Sequence, residues 1–179
     1  GGKAVAEVLF GDYNPAGKLP VTFYRNVSQL PDFEDYNMTG RTYRYMQDVP
    51  LFPFGYGLSY TTFGYGKTVL DKNELTAGQS LKLTVPVTNT GKCNGEEVVQ
   101  VYLRKQGDAE GPIKTLRAFK RVSIPAGKTV NVEFDLKDKE LEWWDDQSNT
   151  VRVCPGNYDI MVGGSSKEED LQRTTIVIK

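Results

Sequence analysis

The sequence predicts an all-β body, a two-sheet antiparallel sandwich, preceded by a short α/β remnant and a long linker. Three observations carry this. From residue 65 onward, short segments of alternating polarity follow one another, separated by turn-forming residues. Residues 25–64 show neither the period of a strand nor that of a helix, and they are rich in aromatics and prolines. Residues 3–10, KAVAEVLF, place Ala4, Val5, Val8 and Leu9 on one helical face.

The first segment, 1–24, reads as the closing piece of an α/β unit. Gly11 supplies a C-cap for the helix. The stretch YNPAGKLP (13–20) is turn chemistry, and VTF (21–23) is a short strand signal. Gly1-Gly2 is neither an initiator methionine nor the start of a signal peptide. Because the chain opens inside an amphipathic pattern, a piece of a longer protein is expected. Its residues 1–63 should then present apolar surface that meets the rest, with self-association of the isolated piece as one outcome.

The second segment, 25–64, is too long for an ordinary loop. Pro31, Pro50 and Pro53 punctuate it, and FPFGYGLSYTTF (52–63) packs five rings, two glycines and a proline into twelve residues. The bends fixed by Pro and Gly break any flat ladder of rings, so this stretch predicts a strap filling a seam between two bodies. Tyr43, Arg44 and Tyr45 are expected to pin the linker to the preceding domain, with substrate contact as the alternative. Arg44 is suited to pairing with a carboxylate or stacking on a ring.

The third segment, 65–179, holds seven candidate strands: 66–72, 80–91, 97–105, 115–124, 128–136, 156–164 and 174–179. SLKLTVPVTNTG sets Leu81, Leu83, Val85 and Val87 on one face, and KTVNVEFDL does the same with Val130, Val132, Phe134 and Leu136. Pro125-Ala126-Gly127 is a tight turn between two of them. Seven short strands with regular turns argue a sandwich of immunoglobulin or fibronectin type III kind. In Trp143-Trp144, adjacent strand residues face opposite sides, so one ring belongs to the core and one to the surface. Packing is the plainer role and sugar stacking the other. Lys167-Glu168-Glu169-Asp170 reads as a solvated loop tip between the last two strands.

Composition excludes several classes of chemistry. Net charge is −1, which gives no electrostatic case for nucleic acid. No apolar run reaches the length of a membrane span. Histidine is absent, so no Ser-His-Asp or Cys-His machinery and no His-containing zinc site can be built here. Cys93 and Cys154 fall at opposite ends of a strand of about 20 Å, beyond the ~7 Å that a disulfide tolerates between Cα atoms, which predicts two free thiols. Asn26-Val27-Ser28 and Asn37-Met38-Thr39 match the glycosylation sequon, which matters only in a eukaryotic source.

Several stretches resemble one enzyme family. GDYNPAGKLPVTF (11–23) resembles the close of the second domain of glycoside hydrolase family 3 enzymes, and GRTYRYMQDVPLFPFGYGLSYTTF (40–63) resembles that family's linker. GEEVVQVYLR (95–104), LRAFKRVSIPAGKTVNVEFDL (116–136) and PGNYDIMVGGSS (155–166) resemble its C-terminal fibronectin type III-like domain. The resemblance implies a parent that removes sugars from β-linked glycosides with retention, using two carboxyls set about 5 Å apart. The GRTYRY run is similar to the β-xylosidase branch more than to β-glucosidases. It also implies a periplasmic or secreted parent and partners that are the parent's own catalytic domains. Both family carboxylates precede the region matched here, so the resemblance carries no catalytic residue onto this chain, and it implies no cofactor and no metal. A carbohydrate-binding module and an adhesion-type interaction domain are the alternative readings, separated by retention on insoluble xylan or cellulose.

Overall fold

The computed structural model describes all residues 1–179. Helix α1, Gly2–Phe10, ends where Gly11 takes a left-handed conformation (φ 83°) and its N–H donates to the Val8 carbonyl. No residue of α1 is buried, and its Val5, Leu9 and Phe10 are exposed. Of the predicted strand 21–23, only Phe23 pairs, through a single bridge to Phe52. Pro50 and Pro53 bracket the partner and remove the N–H groups that a longer ladder would need. Residues 25–62 contain one 3₁₀ turn, Val27–Gln29, and one helical turn, α2, Thr42–Tyr45.

The rest is mostly β. The strands are β1 Phe63–Tyr65, β2 Val69–Leu70, β3 Glu74–Leu75, β4 Leu81–Asn89, β5 Gly95–Lys105, β6 Thr115–Ile124 and β7 Thr129–Leu136. After the helical turn α3, Asp138–Leu141, come β8 Trp143–Asp145, β9 Thr150–Arg152, β10 Gly156–Gly163 and β11 Gln172–Ile178. One sheet centres on β4, which pairs β1 and β2 along one edge and β7 along the other. The second runs β3-β11-β10-β5-β6, antiparallel except for the β3/β11 pair. Strands β8 and β9 form a separate hairpin.

A core of 20 buried residues, all between Leu75 and Ile178, draws on both sheets. The alternation read from β4 and β7 faces it: Leu81, Leu83, Val85 and Val87 are at most 1% exposed, while their neighbours are not. Pro86 sits inside central β4, a place proline normally avoids. Its carbonyl accepts from Gly66 N (2.7 Å) on the β1/β2 side. A strand residue's N and C=O point the same way, so the missing N–H faces the break between β1 and β2 and no ladder bond is lost. The turn at Pro125–Lys128 closes as expected, with Lys128 N donating to Pro125 O and Gly127 at φ 68°.

Each of the seven expected strands is present, though the first shrinks to Val69–Leu70. Four lie outside the seven: β1, β3, β8 and β9, each of two or three residues. Both cysteines are free, Cys93 exposed and Cys154 buried. No helix is long and apolar enough to cross a membrane.

Candidate functional site

The strap 52–63 lies between the loop 13–20 and the second sheet, and is hydrogen-bonded to both. On the loop side, Leu19 N donates to Tyr56 O and Gly55 N to Leu19 O, both at 2.8 Å. The Asn14 side chain clamps three segments: its Oδ1 accepts from Ser59 Oγ and Tyr60 N, and its Nδ2 donates to Asn94 O. On the sheet side, Ser166 N donates to Phe54 O at 2.8 Å. Lys18 pairs with Glu97 at 2.9 Å, and the carboxylate side chain is only 7% exposed.

Gln100 on β5 is the hub beneath the strap. It is 2% exposed in a strand otherwise apolar around it. Its Nε2 donates to Gly164 O (2.5 Å), and its Oε1 accepts from Tyr102 Oη (2.5 Å). Gly55 sits directly over this amide with φ 80°, and a Cβ there would collide with it. Polar Gln100 inside the run EVVQVYL was the available sequence signal for a buried polar hub.

The rings of the strap are split between seam and solvent. Phe54 stacks on Tyr43 (4.3 Å between centroids), and Tyr43 meets Tyr102 edge-on (5.8 Å). Phe52 stacks on Tyr56 (5.1 Å) and meets Phe23 edge-on (6.3 Å). Tyr60 and Leu58 stay exposed.

Within this chain, Tyr43–Tyr45 pin the linker to the β body. Leu116 N donates to Tyr43 Oη (3.1 Å), and Ile113 N donates to Arg44 O (2.7 Å). Thr42, which opens this turn, holds φ 56°, uncommon for a β-branched residue. The Arg44 guanidinium lies over the Tyr45 ring at 5.7 Å.

The 167–170 tip is also more than a solvated loop. Lys114 is 5% exposed, and its Nζ donates to Ser166 O and to Glu168 Oε2 (2.7 Å), while Glu168 also pairs with Arg173. Burial pushes the Glu168 carboxyl up, but Lys114 and Arg173 together hold it below its ordinary value. This tip, Tyr43, Met46, Pro50 and Pro53 line an open groove of about 580 Å³, within the size range of ligand pockets. Its charged lining is of mixed sign, with Arg25, Arg104 and Lys114 against Asp48, Glu168 and Asp170.

Trp143 and Trp144 divide as the strand geometry requires. Trp143 is 3% exposed, meets Tyr158 edge-on and donates to Asp108 Oδ2 (2.6 Å). Trp144 is 48% exposed opposite Val151, with its indole N–H on Asp146. Trp143→Ala therefore costs ~3–5 kcal/mol in a chemical-denaturation curve, whereas Trp144→Ala changes stability by less than ~0.5 kcal/mol. Equal losses would contradict this placement.

At the tip of the same hairpin, Ser148 Oγ, then Arg152, hold the Asp145 carboxyl down at about 2. The folded carboxyl binds its proton more weakly than the unfolded one. Its stabilising contact is thus complete above the ordinary 3.8 and is lost as pH falls toward about 2. The Arg152 Nε–H resonance should shift with a midpoint near that lower value; a midpoint near 4 would show that the pair does not hold in solution.

The sequons lie on exposed segments. Asn26 Oδ1 accepts from Ser28 N and Oγ, and Asn37 Nδ2 donates to Asp35.

Comparisons with known proteins place these features. Residues 1–60 match the family described as glycosyl hydrolase family 3 C-terminal domain, and residues 97–166 the family described as fibronectin type III-like domain. A xylan 1,4-β-xylosidase of Xylanibacter ruminicola is 54% identical over 99% of this chain, which covers 20% of that relative. A periplasmic β-glucosidase of Salmonella typhimurium is 37% identical over 93% of the chain, covering 23% of the relative. Among solved structures, a β-glucosidase from Erythrobacter marinus superposes with a TM-score of 0.84 at 41% identity over 100% of this chain and 24% of its own. The chain thus spans about a fifth to a quarter of the length of the relatives it matches.

Proposed function

We propose that the chain, which matches the glycosyl hydrolase family 3 C-terminal domain over residues 1–60 and the fibronectin type III-like domain over residues 97–166, is the non-catalytic C-terminal part of a retaining β-glycosidase, which it stabilises by packing on the catalytic domains. The division is 1–24, tail of an α/β-sandwich domain; 25–64, linker and strap; 65–179, fibronectin type III-like sandwich. One observation supports this most. Every exposed large hydrophobic except Val69, Phe119, Trp144 and Val151 lies in residues 1–60, whereas the core lies entirely beyond them. Exposed apolar surface concentrated in one segment of the chain belongs against another body.

The chain carries no catalytic, cofactor-binding or metal-binding residue in this reading. Its parent acts on β-linked oligosaccharides, a β-xyloside in preference to a β-glucoside; relatives named β-xylosidase at 54% and 44% identity support that order. A periplasmic or secreted location follows the relative named periplasmic. Incubated with aryl β-xyloside and aryl β-glucoside, the chain alone turns over neither; turnover by contaminant-free chain overturns the reading.

Exposed Trp144 favours a second reading, a carbohydrate-binding surface on the β8–β9 hairpin. Retention on insoluble xylan that Trp144→Ala abolishes would establish it, and passage through the column unretarded would remove it.

A further inference from the structure

We propose that the open groove between the linker and the 165–170 segment is a saccharide-binding site, which takes a short uncharged oligosaccharide. The groove holds about 580 Å³ and has three walls: the linker from Tyr43 to Tyr56, the entry to β6 at Ile113 and Lys114, and residues 165–170. Each wall is hydrogen-bonded to the next. Ile113 N donates to Arg44 O (2.7 Å), Lys114 Nζ to Ser166 O (2.8 Å), and Ser166 N to Phe54 O (2.8 Å). The opening is therefore framed by the fold itself, as ligand pockets generally are.

The lining decides the chemistry of the occupant. Four cations stand against four carboxylates, so the groove carries no net charge for an ion to answer. Its buried cation, Lys114, is already neutralised by Glu168 at 2.7 Å, and Lys167 by Glu169 at 2.8 Å. A wholly apolar occupant would strip water from these groups and return no hydrogen bond. What stays unused is hydrogen-bonding capacity. An ammonium has three N–H groups, and Lys114 spends two, on Ser166 O and Glu168 Oε2. Ser166 is 6% exposed, and its hydroxyl bonds to no group of the chain. Arg104 and Asp48 line the same groove, exposed and in none of the chain's ion pairs. Beside them Pro50, Pro53 and Tyr56 supply apolar surface. Donors and an acceptor next to an aromatic and two prolines match a sugar, whose hydroxyls both give and take while its C–H faces pack on rings. This chemistry belongs to the groove's own residues, and only the choice of probe below follows the proposed function.

The test is an NMR titration of the full protein, followed at its backbone amides, with xylobiose and separately with sodium acetate at equal ionic strength. Xylobiose is expected to move the amides of Lys114, Ser166 and Glu168 and to leave those of β4 in place. Arg104→Ala should weaken it about tenfold, the loss of one hydrogen bond from a charged donor. The melting temperature should not change, because Arg104 has no partner in the chain to lose. Trp144→Ala should leave the affinity as it is, which separates this groove from the β8–β9 hairpin. Acetate moving the same amides as far as xylobiose would make the groove an anion site and overturn the proposal. So would shifts confined to residues 144–151, binding that Arg104→Ala leaves at full strength, or no shift at all.

Discussion

Gly57→Ala is expected to open the seam between the strap and the 13–20 loop. A Cβ at residue 57 would collide with the Gly17 carbonyl oxygen and come within 3.0 Å of Lys18 Cδ. The obstacle is backbone, which cannot swing aside as a side-chain tip can. Overpacking of this kind costs ~1–3 kcal/mol, and at this chain length each kcal/mol lowers the melting temperature by roughly 2–4 °C. The loss should be local. Amides of Leu19 and Gly55, which hold the two segments together, should exchange faster, while those of β4 and β10 keep their protection. An unchanged exchange pattern would mean that the seam does not depend on close approach at Gly57.

Gln100→Leu should have an effect of comparable size by a different route. The substitution preserves bulk but strips the partners from Gly164 O and Tyr102 Oη. Leaving a buried polar group unpaired costs ~1–3 kcal/mol, so a loss of about 3 kcal/mol is expected in the urea midpoint at unchanged slope. Tyr102→Phe in the same background should recover part of it, because one of the stranded groups is then gone; strictly additive losses would show that the two side chains are not coupled. Both substitutions act on the face that carries the strap. In the proposed parent they should therefore reduce thermal stability before they alter turnover.

Long alternating segments were legible without coordinates. Leu81 through Val87 and Val130 through Leu136 declare their inward faces by period alone, and Gly11 and Gly127 declare their turns. The pair β8–β9 did not declare itself, because three residues cannot display a period. Its turn depends on Asn149 at φ 52°, a tolerance that asparagine shares with many loop positions. The strap was legible as a strap from its mix of rings, Pro and Gly. Which body Tyr43 grips was not, since an aromatic signals burial and carries no address for its partner. The polar Gln100 in an apolar run marks a buried hub, but what it and Asn14 hold was not legible: Ser59 Oγ and backbone groups of residues 55, 60, 94 and 164 lie 45 to 80 residues away. The mixed-sign cluster of Lys114, Glu168 and Arg173 likewise reads in sequence as ordinary surface charge, and only the fold brings it together.

The one parallel pairing, β3 with β11, has a consequence for synthesis. Glu74 and Leu75 lie against Val177 and Ile178, and Lys179 N donates to Leu75 O. A nascent chain that has already emitted the whole first sheet still lacks the strand that closes the second and brings core positions Ile176 and Ile178. Closing contacts across some hundred residues are slow to form. Until β11 is made, the edge of β10 lacks its ladder partner. A chain cut before Gln172 should accordingly leave a product that proteases clear.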